Sequence, residues 1–326
     1  MDEKVVAQAE MLANRLKKRF RHLSKWAKRL NTNAFRLYDR DIPEIPLVLD
    51  LYGDAVSGAL YSRPYEKDTG EEARWLEAMR GAVAQGLGLA EGNVFLKERQ
   101  RIRHRQESGD QYSRLSNQGC CRDVHEGDMV FRVNLSDYLD TGLFLDARKR
   151  RALIRKEAAG KRVLNLFAYT CSVSVAAAKG GARQVDSVDL SNTYLEWGRI
   201  NFALNGLAEP LAAPSLIKDD ALQFISRAAQ KGLCWDIIVL DPPSFSNSKK
   251  MRDTLDMRRD HGELIRNCLS ILGPGGTLWF SSSAKGISLS SDDFPACTVK
   301  DMGPYLVDED FKGKRMPKTF LLTNNV

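Results

Sequence analysis

From Lys161 onward, short apolar runs alternate with amphipathic stretches, and this alternation limits the fold more than any other feature of the sequence. Runs at 162–167, 185–190, 216–217, 235–240 and 277–283 read as strands. Between them, helical patterns begin at Ser172, surround Trp197, cover 221–229 and span 261–272. Connections that contain a helix are too long for hairpins and join neighbouring strands in parallel. The expectation is an α/β fold with a doubly wound, Rossmann-like sheet. Trp235 to Leu240 is apolar on both alternating faces, as a central strand must be, and it stops at two prolines that cannot continue a ladder.

The part before residue 136 has a different rhythm. FRLYD, LVLDLYG and AVSGALY read as strands separated by Pro43/Pro46 and Gly53-Asp54. A helix over 71–87, a strand over 93–97 and a hairpin over 119–135 turning at Glu126-Gly127-Asp128 complete a small α+β unit. Ahead of it, residues 11–30 carry eight Lys/Arg and no acid. Leu12, Leu16, Phe20, Leu23, Trp26 and Leu30 recur there every three or four residues, which gives an apolar stripe beside a basic face. The expected organisation is a basic amphipathic helix (1–33), a small α+β domain (34–135) and a Rossmann-like domain (136–326).

The chain has 326 residues, 43% hydrophobic, and a net charge of +7, enough apolar content for about two packed domains. The positive excess lies mainly before residue 160. Arg15, Lys17, Lys18, Arg19 and Lys25 on the helix, with Arg99, Arg101 and Arg103 in the RQRIRHRQ cluster, are candidate contacts for a polyanion. The bland alternative is a solvated face. Six cysteines and four histidines are scattered without CxxC or HExxH spacing, so neither a zinc site nor a disulfide framework is expected. No apolar segment follows Met1-Asp2-Glu3-Lys4, and no run is long enough to span a bilayer. The expectation is a cytoplasmic protein without membrane or metal.

In an open α/β sheet the ligand binds beyond the carboxyl ends of the strands. Three such ends carry unusual chemistry. Asn165-Leu-Phe-Ala-Tyr-Thr-Cys-Ser172 lacks both GxGxxG and a phosphate-gripping lysine, which argues against a dinucleotide or triphosphate. Asp189 ends a strand some twenty residues later, where a carboxylate can accept both hydroxyls of a ribose; its alternative is a helix cap, a role Ser191 could equally fill. Asp241-Pro-Pro-Ser-Phe245 makes a rigid loop with an acid and an aromatic ring, suited to stack and hydrogen-bond a planar base.

The succession NLFAYT, VD, DPPSF resembles class I S-adenosylmethionine-dependent methyltransferases. The match is closer to one branch, the C-terminal half of the bacterial bifunctional 23S rRNA guanine methyltransferases (RlmK/L type). Asn134–Asp146, Tyr194-Leu-Glu-Trp197, Leu204-Asn-Gly206, Arg259-Asp-His261 and, further back, Phe35–Asp39 and Leu96–Arg99 carry it. The resemblance implies methylation of guanine N7 in 23S rRNA, on free rRNA or a large-subunit assembly intermediate, with S-adenosylmethionine as cofactor. It also implies that Asp146, Asn165, Phe167, Tyr169 and Thr170 line the cofactor. Asp189, with Leu190 beside it, would take the ribose, Asp220 the adenine amino group, and Asp241 would border both cofactor and base. Asp241, Pro242, Pro243 and Phe245 would hold the target base. One residue departs from the family: Cys171 stands where glycine is usual.

A cousin family methylates cytosine C5 through a cysteine thiolate at the end of the strand after the glycine-rich turn; here that strand ends in Ser281-Ser-Ser283. Guanine N7 carries no proton, so alignment alone suffices and His261 needs no catalytic role. Guanine N2, cytosine C5, or an RNA-binding assembly factor impaired at Cys171 are the alternatives.

Overall fold

The computed structural model describes residues 2–61, 68–99, 115–207, 215–246 and 255–325, which divide into two units. The first takes residues 1–104, 110–145 and 309–314. Its elements are α1 (Glu3–Arg29), β1 (Ala34–Asp39), β2 (Leu47–Tyr52), β3 (Ala55–Tyr61), α2 (Thr69–Leu87), β4 (Val94–Arg99) and the hairpin β5 (Cys121–Glu126) and β6 (Met129–Asn134). The strands β1-β2-β3-β4 form one sheet, antiparallel until the α2 crossover sets β4 parallel to β3. Helix α1 joins the same core as this sheet: Leu12, Leu16, Leu23 and Trp26 pack with Leu37, Leu49, Val56, Trp75 and Val83. Two residues of its expected stripe, Phe20 and Leu30, remain exposed. At Gly86 of α2 an added Cβ would lie 2.9 Å from the Ala13 carbonyl oxygen, so the α1–α2 approach depends on that glycine.

The second unit contains α3 (Arg148–Glu157), β7 (Arg162–Leu166), α4 (Ser172–Lys179), β8 (Gln184–Asp189), α5 (Asn192–Leu204), β9 (Ser215–Lys218), α6 (Ala221–Gln230) and β10 (Trp235–Leu240). A short ribbon of β11 (Phe245–Ser246) and β12 (Leu255–Asp256) follows. Then come α7 (Met257–Leu269), β13 (Leu272–Ser282), β14 (Cys297–Asp301), α8 (Gly303–Leu306) and β15 (Lys318–Asn324). Its sheet runs β14-β15-β13-β10-β7-β8-β9. The five strands from β13 to β9 are parallel, and β15 lies antiparallel between β13 and β14.

Alternation along each central strand separates two cores. Leu164, Ile238, Leu240, Leu278 and Phe280 face α6 and α7, through Ile225, Ala228, Leu264 and Cys268. Val163, Ile237, Val239 and Trp279 face α3, α4 and α8, through Ile154, Ala177, Met302 and Leu306. The sheet is therefore covered on both sides, as the apolar run of β10 requires. The chain order reverses between β7 and β10, which places a crevice at their carboxyl ends. No described helix is long and apolar enough to cross a membrane.

Candidate active site

Register aligns the ends of the strands. Leu166 pairs with both Val188 and Leu240, and Leu240 pairs with Phe280. Phe167, Asp189, Asp241 and Ser281, each next in its chain, thus share one row along the carboxyl edge.

The loop after β7 turns within five residues and places Phe167 (φ 55°), Tyr169 (φ 50°) and Cys171 (φ 60°) in the left-handed region. Each such L-residue costs about 1–2 kcal/mol, so the surroundings must hold the loop. Asp189 does much of this. Its Oδ2 accepts the Tyr169 N–H at 2.9 Å and its Oδ1 the Ser191 N–H at 2.8 Å. From α5, the Asn201 amide donates to the Thr170 carbonyl at 2.8 Å, and the Tyr194 ring meets the Tyr169 ring edge-on at 4.5 Å. Burial pushes the Asp189 carboxyl above its ordinary pKa against the pull of the two backbone donors. The cap of α5 is the Ser191 hydroxyl, which accepts the Tyr194 N–H. Each Asp189 oxygen keeps a lone pair beyond its single backbone donor, and a vicinal diol needs two such acceptors.

Cys171, immediately before α4, is fully buried, and burial raises its thiol to about 12, so it supplies no thiolate. Its sulfur lies against Gly198 of α5. The Asn165 amide donates to the Ser174 hydroxyl at 2.8 Å, which also receives the Ser187 hydroxyl at 2.7 Å. Asn165 therefore ties β7 to α4, and Ser174 carries the link on to β8. Thr170 is likewise fully buried, whereas Phe167 and Leu190 are half-buried. Asp220 sits just beyond β9 and caps α6, its Oδ1 accepting from Leu222 and Gln223. Asp146 lies half-buried in a 3-10 turn leading into α3.

At the end of β10, Asp241 accepts a hydrogen bond from Arg150 Nη2 of α3. The Arg150 side chain is 6% exposed and that of Asp241 35%. The Nε and Nη1 of Arg150 are buried and have no partner among the described residues. Sequence reasoning missed this residue, whose one signal was the dense basic run FLDARKRR. Pro242 is buried, Pro243 half-buried, and Phe245 opens the ribbon, pairing with Asp256. A cavity of about 280 Å³ follows, lined by Ser244, Phe245, Asp256, Arg258, Lys285 and Arg315 among others. His261 Nδ1 bonds the Met257 carbonyl at 2.8 Å within α7.

On the basic helix, Arg15 forms a two-nitrogen fork on Asp41, at 2.9 and 2.7 Å, and Arg19 donates to the Leu37 carbonyl. Arg15 is thus charge-paired within its own unit while its side chain stays 39% exposed, and the Arg19 contact is to a neutral carbonyl. Lys17, Lys18 and Lys25 are exposed. The side chain of Arg99 lies outside the described residues, as do Arg101 and Arg103 entirely.

A reversed-order parallel sheet, an acid able to grip a ribose and a strained loop without phosphate-binding glycines define a Rossmann-like protein for a nucleoside-bearing cofactor. The S-adenosylmethionine-dependent methyltransferase family model matches residues 44–294, and the chain belongs to that family. It is 43% identical to the ribosomal RNA large subunit methyltransferase K of Neisseria meningitidis serogroup B, over 93% of this chain and 84% of that protein. It is equally similar to the ribosomal RNA large subunit methyltransferase K/L of Pseudomonas putida, but spans only 40% of that relative's length. The crystal structure of SMU.776 complexed with SAH superposes with a TM-score of 0.74 at 26% identity, covering 98% of this chain and 81% of that one. The cofactor is S-adenosylmethionine.

Proposed function

We propose that this chain methylates N7 of a guanine in 23S ribosomal RNA, in the cytoplasm, on free rRNA or a large-subunit assembly intermediate. The observation that carries the reading is the 43% identity to a large-subunit rRNA methyltransferase K over most of both chains. S-adenosylmethionine supplies an electrophilic methyl on sulfonium, and everything else is positioning. Asp189 receives the ribose hydroxyls and holds the 167–171 loop through the Tyr169 N–H. Asp220, with one oxygen on the α6 cap, offers the other to the adenine amino group. Asp146 and the half-buried Phe167 and Tyr169 close the pocket.

A guanine within structured RNA must leave its stack to present N7 in line with the methyl. Phe245 offers the free base a ring, contributing about 1–3 kcal/mol. Pro242 and Pro243 fix the loop. Arg150 anchors Asp241 through Oδ2, leaving Oδ1 for the base's N1–H and N2 amine. Two further observations support N7. His261, on the helix that follows the ribbon, uses Nδ1 on its own helix. The end of β13 carries serines, of which Ser281 and Ser282 are buried, where cytosine C5 chemistry needs a thiolate. N7 needs neither base nor nucleophile.

The test is mass-spectrometric mapping of 23S rRNA from cells with and without the gene, repeated with Phe245→Ala. Loss of one 7-methylguanosine in both the deletion and the variant is expected, with the variant's cofactor affinity nearly intact. An unchanged 7-methylguanosine map would overturn the reading.

A further inference from the structure

Around Phe245 the cavity gathers three cations from three separate segments. Arg258 comes from the first turn of α7, Lys285 from the loop after β13, and Arg315 from the segment before β15. One carboxylate, Asp256, opposes them, and its Oδ1 caps α7 by accepting the Arg258 N–H at 3.0 Å. All three cations are exposed, and no ion pair neutralises Arg258 or Lys285 among the described residues. Among the described residues Arg315 makes one contact, from Nη2 to the Ser283 carbonyl at 3.3 Å, which steers it to the cavity wall. The three therefore share one space from separate parts of the chain, with Asp256 the one carboxylate in the lining. Unpaired like charges facing one space raise a local positive potential, which attracts an anion.

The chemistry around that space narrows the anion. A half-buried aromatic ring, the Ser244 and Ser283 side chains and three cations suit a base joined to a phosphate. The volume, about 280 Å³, is near the lower limit of about 300 Å³ for ligand pockets, so one nucleotide unit fits and a duplex does not. Ser244 and Ser283, which follow the carboxyl ends of β10 and β13, line the cavity. We infer that Arg258, Lys285 and Arg315 form a clamp for the phosphodiester backbone of a single RNA strand next to the everted base. This inference rests on the reading of Phe245 as the base platform, and it moves part of RNA recognition from the N-terminal helix to the methyltransferase unit.

The test is the salt dependence of binding of a twelve-nucleotide single-stranded RNA, by fluorescence anisotropy, to the whole chain and to R258Q/K285Q/R315Q. Each phosphate contact removed lowers the slope of log affinity against log salt by about 0.7, so the triple variant should lose roughly 2 in slope. Over a fourfold rise in salt the wild type would then lose roughly twentyfold more affinity than the variant. The three single variants, each expected to lose about 0.7, keep the test valid if the triple variant fails to bind cofactor. Inorganic phosphate at constant ionic strength should displace little RNA. Unchanged slopes, or full displacement by millimolar phosphate, would overturn the clamp. Methyl transfer to 23S rRNA is read separately. Slope loss without any methylation by the wild type keeps the clamp and sinks the rRNA reading; methylation with unchanged slopes does the reverse.

Discussion

Cys171 and Gly198 should be energetically coupled, because the glycine leaves the space that the cysteine fills. An added Cβ at Gly198 would stand 2.6 Å from the Cys171 sulfur and 3.0 Å from its Cβ, well inside van der Waals contact. Cys171 cannot retreat. It is fully buried, its N–H bonds the Ala168 carbonyl at 2.8 Å, and its carbonyl accepts the Val175 N–H at 2.9 Å. Overpacking of this kind costs about 1–3 kcal/mol, against about 1 kcal/mol gained by replacing glycine with alanine inside a helix. Gly198→Ala alone should therefore destabilise the protein by up to about 2 kcal/mol. Cys171→Gly removes the sulfur and relaxes a left-handed residue, a relief of about 1–2 kcal/mol that is opposed by the void left where the sulfur packed. In that background Gly198→Ala should be neutral or stabilising by about 1 kcal/mol. The four proteins form a double-mutant cycle, read by urea unfolding, with an expected coupling of about 1–3 kcal/mol. Additivity within about 0.5 kcal/mol would show that the glycine does not accommodate the cysteine.

Asp189→Ala should weaken S-adenosylmethionine binding by two charge-assisted hydrogen bonds, each about 1.5–3 kcal/mol, measured by calorimetry; unchanged affinity would remove Asp189 from the ribose. Because burial raises its carboxyl, the folded state takes up a proton before the unfolded state does. The stability cost of the charged form is then relieved as pH falls through the raised folded value, while cofactor affinity drops over that same window. Asp189→Asn should flatten that pH profile. Asp241→Ala strands the buried Arg150 guanidinium, whereas Arg150→Met leaves a carboxylate that water can reach, so the former should lower the urea midpoint more. Arg15→Gln should cost stability. Burial raises the Asp41 carboxyl, but hydrogen bonds from Lys314 and Arg15 outweigh it and hold its pKa down, so that contribution disappears as pH falls through the lowered value. Lys17, Lys18 and Lys25 to Gln should leave the unfolding midpoint unchanged.

The alternation of strand and helix after Lys161, the both-faced apolar run of β10 and the Asp-Pro-Pro stop were all written in local sequence. Local sequence therefore determined the parallel sheet, its central strand and the place of Asp189 and Asp241 at strand ends, because periodicity and chain-stopping residues act over a few neighbours. Strand β14 and helix α3 escaped it. The first is a mostly exposed five-residue edge whose sequence, CTVKD, carries little apolar signal, and the second is a helix three of whose arginines are buried. What only the tertiary structure decided was how polar side chains are partnered. Asn165 donates to Ser174, Arg15 pairs with Asp41, and Arg150 reaches Asp241 across 91 positions of sequence. Arg258, Lys285 and Arg315 share a cavity although spread over 57 positions of chain. Charge and hydrogen-bond pairing depend on distance in space, and no periodicity in the chain encodes which distant residue will arrive.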